Sequence, residues 1–493
     1  MTGLGLLDVA MCRLRLPIPM AKLQVIHQVA DALKRGPSSE AAWQALLRWL
    51  RSLKLESEVL EALAIVVMAR GSTVLSPADL RAAIDAPSVL SDVFIGYAIE
   101  TPVLVHSWLK SHSGEVPRFH RVPELMEELE RGVIVPGILM RRMQDLERLS
   151  RKPFIAQWTY EFERLLDRSD YDDDGHFSYF LPSDDRKESG QFTARRGHLA
   201  RSAFLRTLAL AVDQWHMPIP KAQSEAMFAS PADLSLLPML PGEVPPWAKS
   251  IHRASPGTAD EAAALATLAL REVHEGLGRA LLHLNLPLQG DVRYHGELEI
   301  VSVLTSDESV DPLQAIHLHD WLPGKVFVPR ADDLTLRVAP QGREAAFPTK
   351  AGGFLRPVLL PLVDEFVGYL HADLVTRMPR LPAHNSETQL IVVPRKGGAD
   401  MLHSGHKVGE LQHWSWKWRP THPTGMGGPT GVALVLDSDV AERILHVDGM
   451  RLVHVWRARV RRRETDYGDW IEEAWEGSVP GLRLGSAPRR FIS

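Results

Sequence analysis

The 493-residue chain carries 56 Lys and Arg against 61 Asp and Glu, a formal net charge of -5, with 45% hydrophobic and 24% charged residues. At about 150 residues per domain, this length implies two or three units, and the composition excludes collagen-like, disordered and disulfide-stapled classes. No global basic field announces nucleic acid, so any such surface has to be local.

Cys12 is the only cysteine, which excludes an internal disulfide, a CxxC redox pair and a cysteine-rich zinc site. Met1 to Met11 is mildly apolar, contains Asp8 and lacks a preceding positive charge, and no apolar run approaches about 18 residues. A cytoplasmic location, with neither signal peptide nor membrane span, is the expectation.

From about residue 21 to 285 apolar residues recur at helical spacing, as in Ala41, Leu46, Leu47, Leu50 and Leu53, then Val59, Leu60, Leu63 and Val66. Ser76-Pro77-Ala78-Asp79 supplies an N-cap hydroxyl, a proline at the first helical position and a carboxylate in the first turn. Ser230-Pro231-Ala232-Asp233 repeats it, which reads as a second helix start more readily than as an internal duplication. Thr258 with Glu261 opens a helix expected to run to about Leu284.

Beyond Asn285 the period changes, and strands are expected at 297–304, 325–328, 334–338, 389–393, 412–418, 432–436 and 451–460. A helix over about Leu359 to Arg377 interrupts them, and a short one follows Asp439, whose spacing to Glu442 is that of a capping box. The fold class is therefore α+β and multidomain. A helical scaffold domain spans 1–285, with breaks near 168–192 and in the proline-rich 237–257. An α+β domain with a mostly antiparallel sheet spans 287–493.

Asp170, Asp172 and Asp174 before Gly175 form the first half of a calcium loop, since carboxylates at alternate positions converge on a hard cation. Leu181 stands where the bidentate Glu belongs, so an acidic solvated loop is the competing reading. His317, His319 and Asp320 have a spacing that sends both imidazoles to one face of a strand, a geometry suited to zinc. His403, His406, His413 and His422 offer further ligands nearby in sequence.

In His413 to Arg419, alternation sends Trp414, Trp416 and Trp418 to one face and His413, Ser415 and Lys417 to the other. Such a face is either core or a platform for stacking bases beside Lys417 and Arg419. Arg457, Arg459, Arg461, Arg462 and Arg463 add local positive charge, and six of the 13 tryptophans lie beyond residue 413. The acidic stretch Glu464 to Glu476 follows at once and could pair with these arginines.

There is no GxxxxGK[ST], GxSxG or HExxH in the chain. Two functional readings follow. The first is a non-enzymatic scaffold or binding subunit of a larger bacterial-type complex, its C-terminal domain binding a partner protein, DNA or RNA. The second is a metal-dependent, nuclease-like hydrolase built on the C-terminal His and Asp residues. No cofactor is identified by motif, zinc and calcium being the candidate ions, and no membrane partner is expected.

Overall fold

The computed structural model describes residues 5–16, 18–99, 101–120, 137–168, 195–288, 293–321, 327–329, 336–338, 347–361, 368–371, 377–379, 390–415, 430–447 and 449–480. Its contacts divide the chain into two compact units, Met1–Leu237 with Phe366–Asp373, and Pro238–Glu365 with Leu374–Ser493. The division falls at the start of the proline-rich stretch, not near residue 285.

The first unit is helical: α1 (Leu6–Cys12), α2 (Pro19–Lys34), α3 (Gly36–Ser52), α4 (Glu56–Met68), α5 (Pro77–Ala83), α6 (Val89–Ile99), α7 (Gly137–Ser150), α8 (Phe154–Arg168), α9 (Arg195–Asp213) and α10 (Ile219–Ala226). Capping chemistry sets some of these starts. The Ser76 side chain accepts from the Asp79 amide at 3.3 Å, and Pro77 takes the first helical position. Helix α4 is apolar on nearly all sides, and its residues from Val59 to Val67 are buried, so it forms the centre of this unit with α2, α6 and α9 packed around it. Ser230 does not start a helix as Ser76 does. Its hydroxyl donates to the Ala232 carbonyl, Asp233 caps a short 3-10 turn instead, and the duplication reading loses its support.

The second unit contains α11 (Ala248–His252), α12 (Ala259–Leu277), α13 (Pro312–Trp321) and α14 (Ser438–Leu445). Its strands are β1 (Arg279–Leu288), β2 (Tyr294–Thr305), β3 (Phe327–Pro329), β4 (Leu336–Val338), β5 (Phe347–Pro348), β6 (Phe354–Pro357), β7 (Leu359–Pro361), β8 (Arg377–Pro379), β9 (Leu390–Arg395), β10 (Gly398–His403), β11 (His406–Ser415), β12 (Thr430–Asp437), β13 (Arg451–Arg462) and β14 (Ile471–Pro480). The main sheet runs β14-β13-β2-β1-β12-β11-β10-β9-β4-β3, antiparallel at every step, with β6 beside β2 and β5 beside β6. The mainly antiparallel α+β expectation matches this architecture.

Three expected elements differ. Helix α12 starts at the Thr258 cap, which accepts from the Glu261 amide at 3.3 Å, but it stops at Leu277 because Gly278 turns left-handed at φ 66°. The residues assigned to its last turns form β1, and α12 packs its Leu265, Ala266, Ala269 and Val273 on Leu284, Leu286, Ile300 and Val435 of the sheet. It therefore belongs to the second unit, which is why the boundary moves. His317, His319 and Asp320 lie on helix α13 and not on a strand, because Pro312 takes the first turn and Asp311 accepts from the Gln314 amide at 3.2 Å. Within 359–377 the described residues are strands β7 and β8 and a 3-10 turn at Tyr369–His371, not a helix; Pro361 and the positive φ of Gly368 oppose helical continuation.

Candidate functional site

Trp414 stands at the centre of the second unit's core. It is fully buried, meets Trp247 edge-on at 6.0 Å, and donates its indole N–H to His252 Nε2 at 2.8 Å. Gly431 on the neighbouring strand makes room for it, since a Cβ there would come within 2.4 Å of the indole. The stacking platform is thus corrected for Trp414, whose large apolar area is spent inside the fold. Trp416, Lys417, Trp418, Arg419 and His422 lie outside the described residues.

His252 links this core to the backbone. Its Nδ1 meets the Pro287 carbonyl at 2.9 Å, so the ring is neutral, with Nδ1 protonated and Nε2 accepting from Trp414. Burial lowers its pKa to about 4, against the opposing bond to Pro287. His454, bonded to the Ser302 hydroxyl at 2.8 Å, is likewise lowered to about 4 by burial. Between their ordinary value near 6.5 and about 4, the unfolded chain takes up protons that the folded chain refuses, so stability falls as pH falls. Each histidine is expected to contribute about 3 kcal/mol to this loss. Urea midpoints followed by tryptophan fluorescence should drop steeply through this window, and a flat profile would contradict the assignment.

The arginines of β13 are engaged one by one. Register places Arg457 and Arg459 opposite Glu299 and Glu297 of β2, and the guanidinium groups meet those carboxylates at 2.7 and 3.1 Å. Arg461 pairs with Glu472 across β14, Arg462 meets Glu473 at 2.9 Å, and Arg463 covers the Trp470 ring at 4.6 Å. Acidic residues following the arginines in sequence therefore return beside them in space.

Among the described residues, no group of three His, Cys, Asp or Glu side chains is placed to hold a metal ion. His403 and His406 face each other across the β10–β11 turn, with His403 half-buried and His406 exposed, and His413 lies further along β11. His317, His319 and Asp320 lie on α13, not on the strand that the single-face argument needs, and the side chains of His319 and Asp320 lie outside the described residues. Asp170, Asp172 and Asp174 lie outside the described residues.

Among the described residues, strand β14 is the end of the sheet, with α12 and α13 packed on it. Over ten residues it pairs with β13, and among the described residues with no other strand. Glu472, Ala474, Glu476, Ser478 and Pro480 are exposed, while the alternate positions Glu473, Trp475, Gly477 and Val479 are half-buried. Ile471 at its start is 49% exposed.

The first unit holds a polar cluster that pattern reading missed. Lys22 on α2, Glu61 on α4 and Arg201 on α9 are buried together, with His198 and the phenol of Tyr369. Glu61 is the shared acceptor: Lys22 Nζ lies 2.6 Å away, Tyr369 donates its hydroxyl, His198 Nε2 stands at 3.5 Å and Arg201 at 3.7 Å. Lys22 also donates to the Leu14 carbonyl. Arg201 lies 3.9 Å over the Tyr369 ring and gives one N–H to His198 Nδ1 at 2.7 Å. Ser57 and Ser202 close the network, their hydroxyls 3.0 Å apart, with Ser57 3.0 Å from His198 Nδ1.

Burial lowers the Lys22 pKa, opposed mainly by Glu61, and pushes that of His198 well below its ordinary range, aided by the charges of Arg201 and Lys22. Burial also holds Tyr369 well above its usual value, so the phenol stays protonated and donates. Ser57 touches an imidazole that faces a carboxylate, the order of groups used in acyl transfer. Its hydroxyl is buried, however, and bonded to the His198 carbonyl at 2.8 Å as well, so it is not presented to solvent. The cluster works as a closed network of hydrogen bonds.

The signal for it lay in helical phase. Val25, Ile26 and Val29 follow Lys22 at three, four and seven positions, and Phe204, Leu205 and Leu208 follow Arg201 at the same offsets, so both cations stand on apolar stripes. The comparisons add no relative: no family model matches the chain, and no curated protein matches it significantly. Fold and side-chain geometry define it as a two-unit α+β protein with a buried ionic cluster in its helical unit.

Proposed function

We propose that the protein is a binding subunit of a larger complex, and that its second unit takes an extended segment of a partner protein along β14. The observation that carries this reading is the edge itself: ten residues of strand, paired on one side only among the described residues, with alternate side chains exposed. An open strand edge offers main-chain donors and acceptors in register, and strand addition uses them for affinity while alternate side chains set specificity.

Charge indicates the occupant. Residues 471–480 include Glu472, Glu473 and Glu476 and no Lys or Arg, so a second copy would set like charges across the new pair. Glu472 and Glu473 already meet Arg461 and Arg462, so Glu476 is the carboxylate that a Lys or Arg of the segment would complement. The arginines of β13 already meet carboxylates, which supports a protein partner over nucleic acid. Helix α14, with β11 and β12, lies at other steps of the sheet and leaves this edge uninvolved.

The test uses a fluorescent peptide of matching length with alternating Lys and Val, the same peptide N-methylated at alternate amides, and a single-stranded oligonucleotide of about 20 nucleotides. Anisotropy at moderate salt is expected to show binding of the unmodified peptide and at least about tenfold weaker binding after methylation. Equal binding of both peptides, or preference for the oligonucleotide, overturns the reading.

A further inference from the structure

We propose that β14 selects its partner segment by one apolar side chain, which packs against the Trp456 indole across Gly477 and adjoins in sequence the basic residue that meets Glu476. This rests on the strand-addition reading and names the sequence that the edge selects.

The two faces of β14 differ. Trp475, Gly477 and Val479 alternate onto the face that carries α12, where Trp475 and Val479 pack half-buried on a core containing Leu265, Ala266 and Ala269 of that helix. Glu472, Ala474, Glu476 and Ser478 lie on the opposite face and are exposed. A strand pairing with β14 repeats the alternation, so the residues flanking the one opposite Glu476 fall on the helix face. Phase therefore separates basic from apolar positions in the partner.

Gly477 makes the apolar position selective. It pairs with Trp456 of β13, and a Cβ on it would fall 2.6 Å from Cζ2, 2.7 Å from Cε2 and 2.9 Å from Nε1 of that indole. The indole thus reaches from β13 over the glycine, into the space where any other residue of β14 would carry its side chain. Neighbouring strands lie about 4.8 Å apart, so a side chain opposite Gly477 starts roughly 10 Å from the Trp456 backbone with no Cβ in between. A Val, Ile or Leu there spans what the ring leaves of that gap. Trp456 is 4% exposed and belongs to the same packed core, so the ring is held in place before a partner arrives.

Glu476 fixes the register. Glu472 and Glu473 meet Arg461 and Arg462, and Ala474 and Ser478 carry no charge. The two neighbours of a Lys or Arg opposite Glu476 then stand opposite Trp475 and Gly477. Opposite Trp475 an incoming side chain meets an indole of the same strand pair, whereas opposite Gly477 it enters the space over the glycine. The selected sequence is a basic residue adjoining a branched apolar one, and which side the apolar residue takes reports the direction of the added strand.

Anisotropy on the full-length protein tests this with a fluorescent Thr peptide of the length of β14, ten residues, carrying one Lys with Val on both sides. Replacing one of the two Val residues by Thr is expected to weaken binding about tenfold. In Gly477→Ala, whose Cβ displaces the indole, that penalty is expected to fall below about threefold, while the penalty at the other Val is the same in both proteins. Trp456→Phe, with its shorter ring, is expected to give the same result and decides if Gly477→Ala does not fold. Penalties unchanged by either variant, or no penalty at either Val in the wild type, overturn this inference while binding of the parent peptide keeps the strand-addition reading. A parent peptide that does not bind, or binds equally well after N-methylation, overturns that reading and this inference with it.

Discussion

Replacing Glu61 by alanine is expected to destabilise the helical unit by about 3–5 kcal/mol, the range for breaking a buried ion pair from one side. Glu61 is the carboxylate on which Lys22, Tyr369 and His198 converge, with Arg201 at 3.7 Å. Its removal strands two buried cations and a phenol, each already stripped of water. The complementary result is as informative. Changing Lys22 to Met and Glu61 to Leu together removes the charge pair, and is expected to recover only the part of the loss due to the stranded Lys22, because Arg201 and the Tyr369 hydroxyl still lose their acceptor. Chemical denaturation of the wild type, Lys22→Met, Glu61→Leu and the double variant measures the coupling. Equal, additive losses would show that the two side chains do not act as a pair.

Trp414→Ala carries the second large effect, about 3–5 kcal/mol, as expected for truncating a fully buried indole. The vacated space faces Trp247, and His252 Nε2 loses the donor that satisfies it. An exposed stacking residue would behave differently, with stability nearly unchanged and only ligand binding reduced. Thermal or urea unfolding therefore distinguishes core from platform without any ligand, and a loss below about 1 kcal/mol would contradict the core assignment.

Sequence periodicity revealed a helical region followed by a region of strands, because burial imposes a period of 3.6 on one and 2 on the other, and the scarcity of crossover helices among the strands pointed to antiparallel pairing. It misplaced the junction at one residue: Gly278 ends α12, yet the apolar pattern of Ala280, Leu281 and Leu282 continues without a gap, since a buried strand and a buried helix look alike over so few positions. His317 and His319 were assigned to a strand from spacing alone, while the proline and aspartate that start their helix stood immediately upstream. The identical Ser-Pro-Ala-Asp segments show the limit of local signals, because one caps a helix and the other packs against Gly368, a partner 136 positions away by sequence. Trp414 was legible as a candidate for either core or platform, and only tertiary packing decides between them. The ionic cluster escaped because Lys22, Glu61, Arg201 and Tyr369 are scattered over the chain and share no motif; charges on apolar helical stripes were the available trace.

Partner binding at the sheet edge is tested most directly by locating it. Amide exchange of the full-length protein, with and without a saturating Lys/Val peptide, reads β14 residue by residue. Slowed exchange concentrated at 471–480 is the expected result, with the arginine strand 451–462 and the helical unit unchanged. Protection at 451–462 on adding a single-stranded oligonucleotide, with β14 indifferent to the peptide, would contradict it and return the nucleic-acid reading.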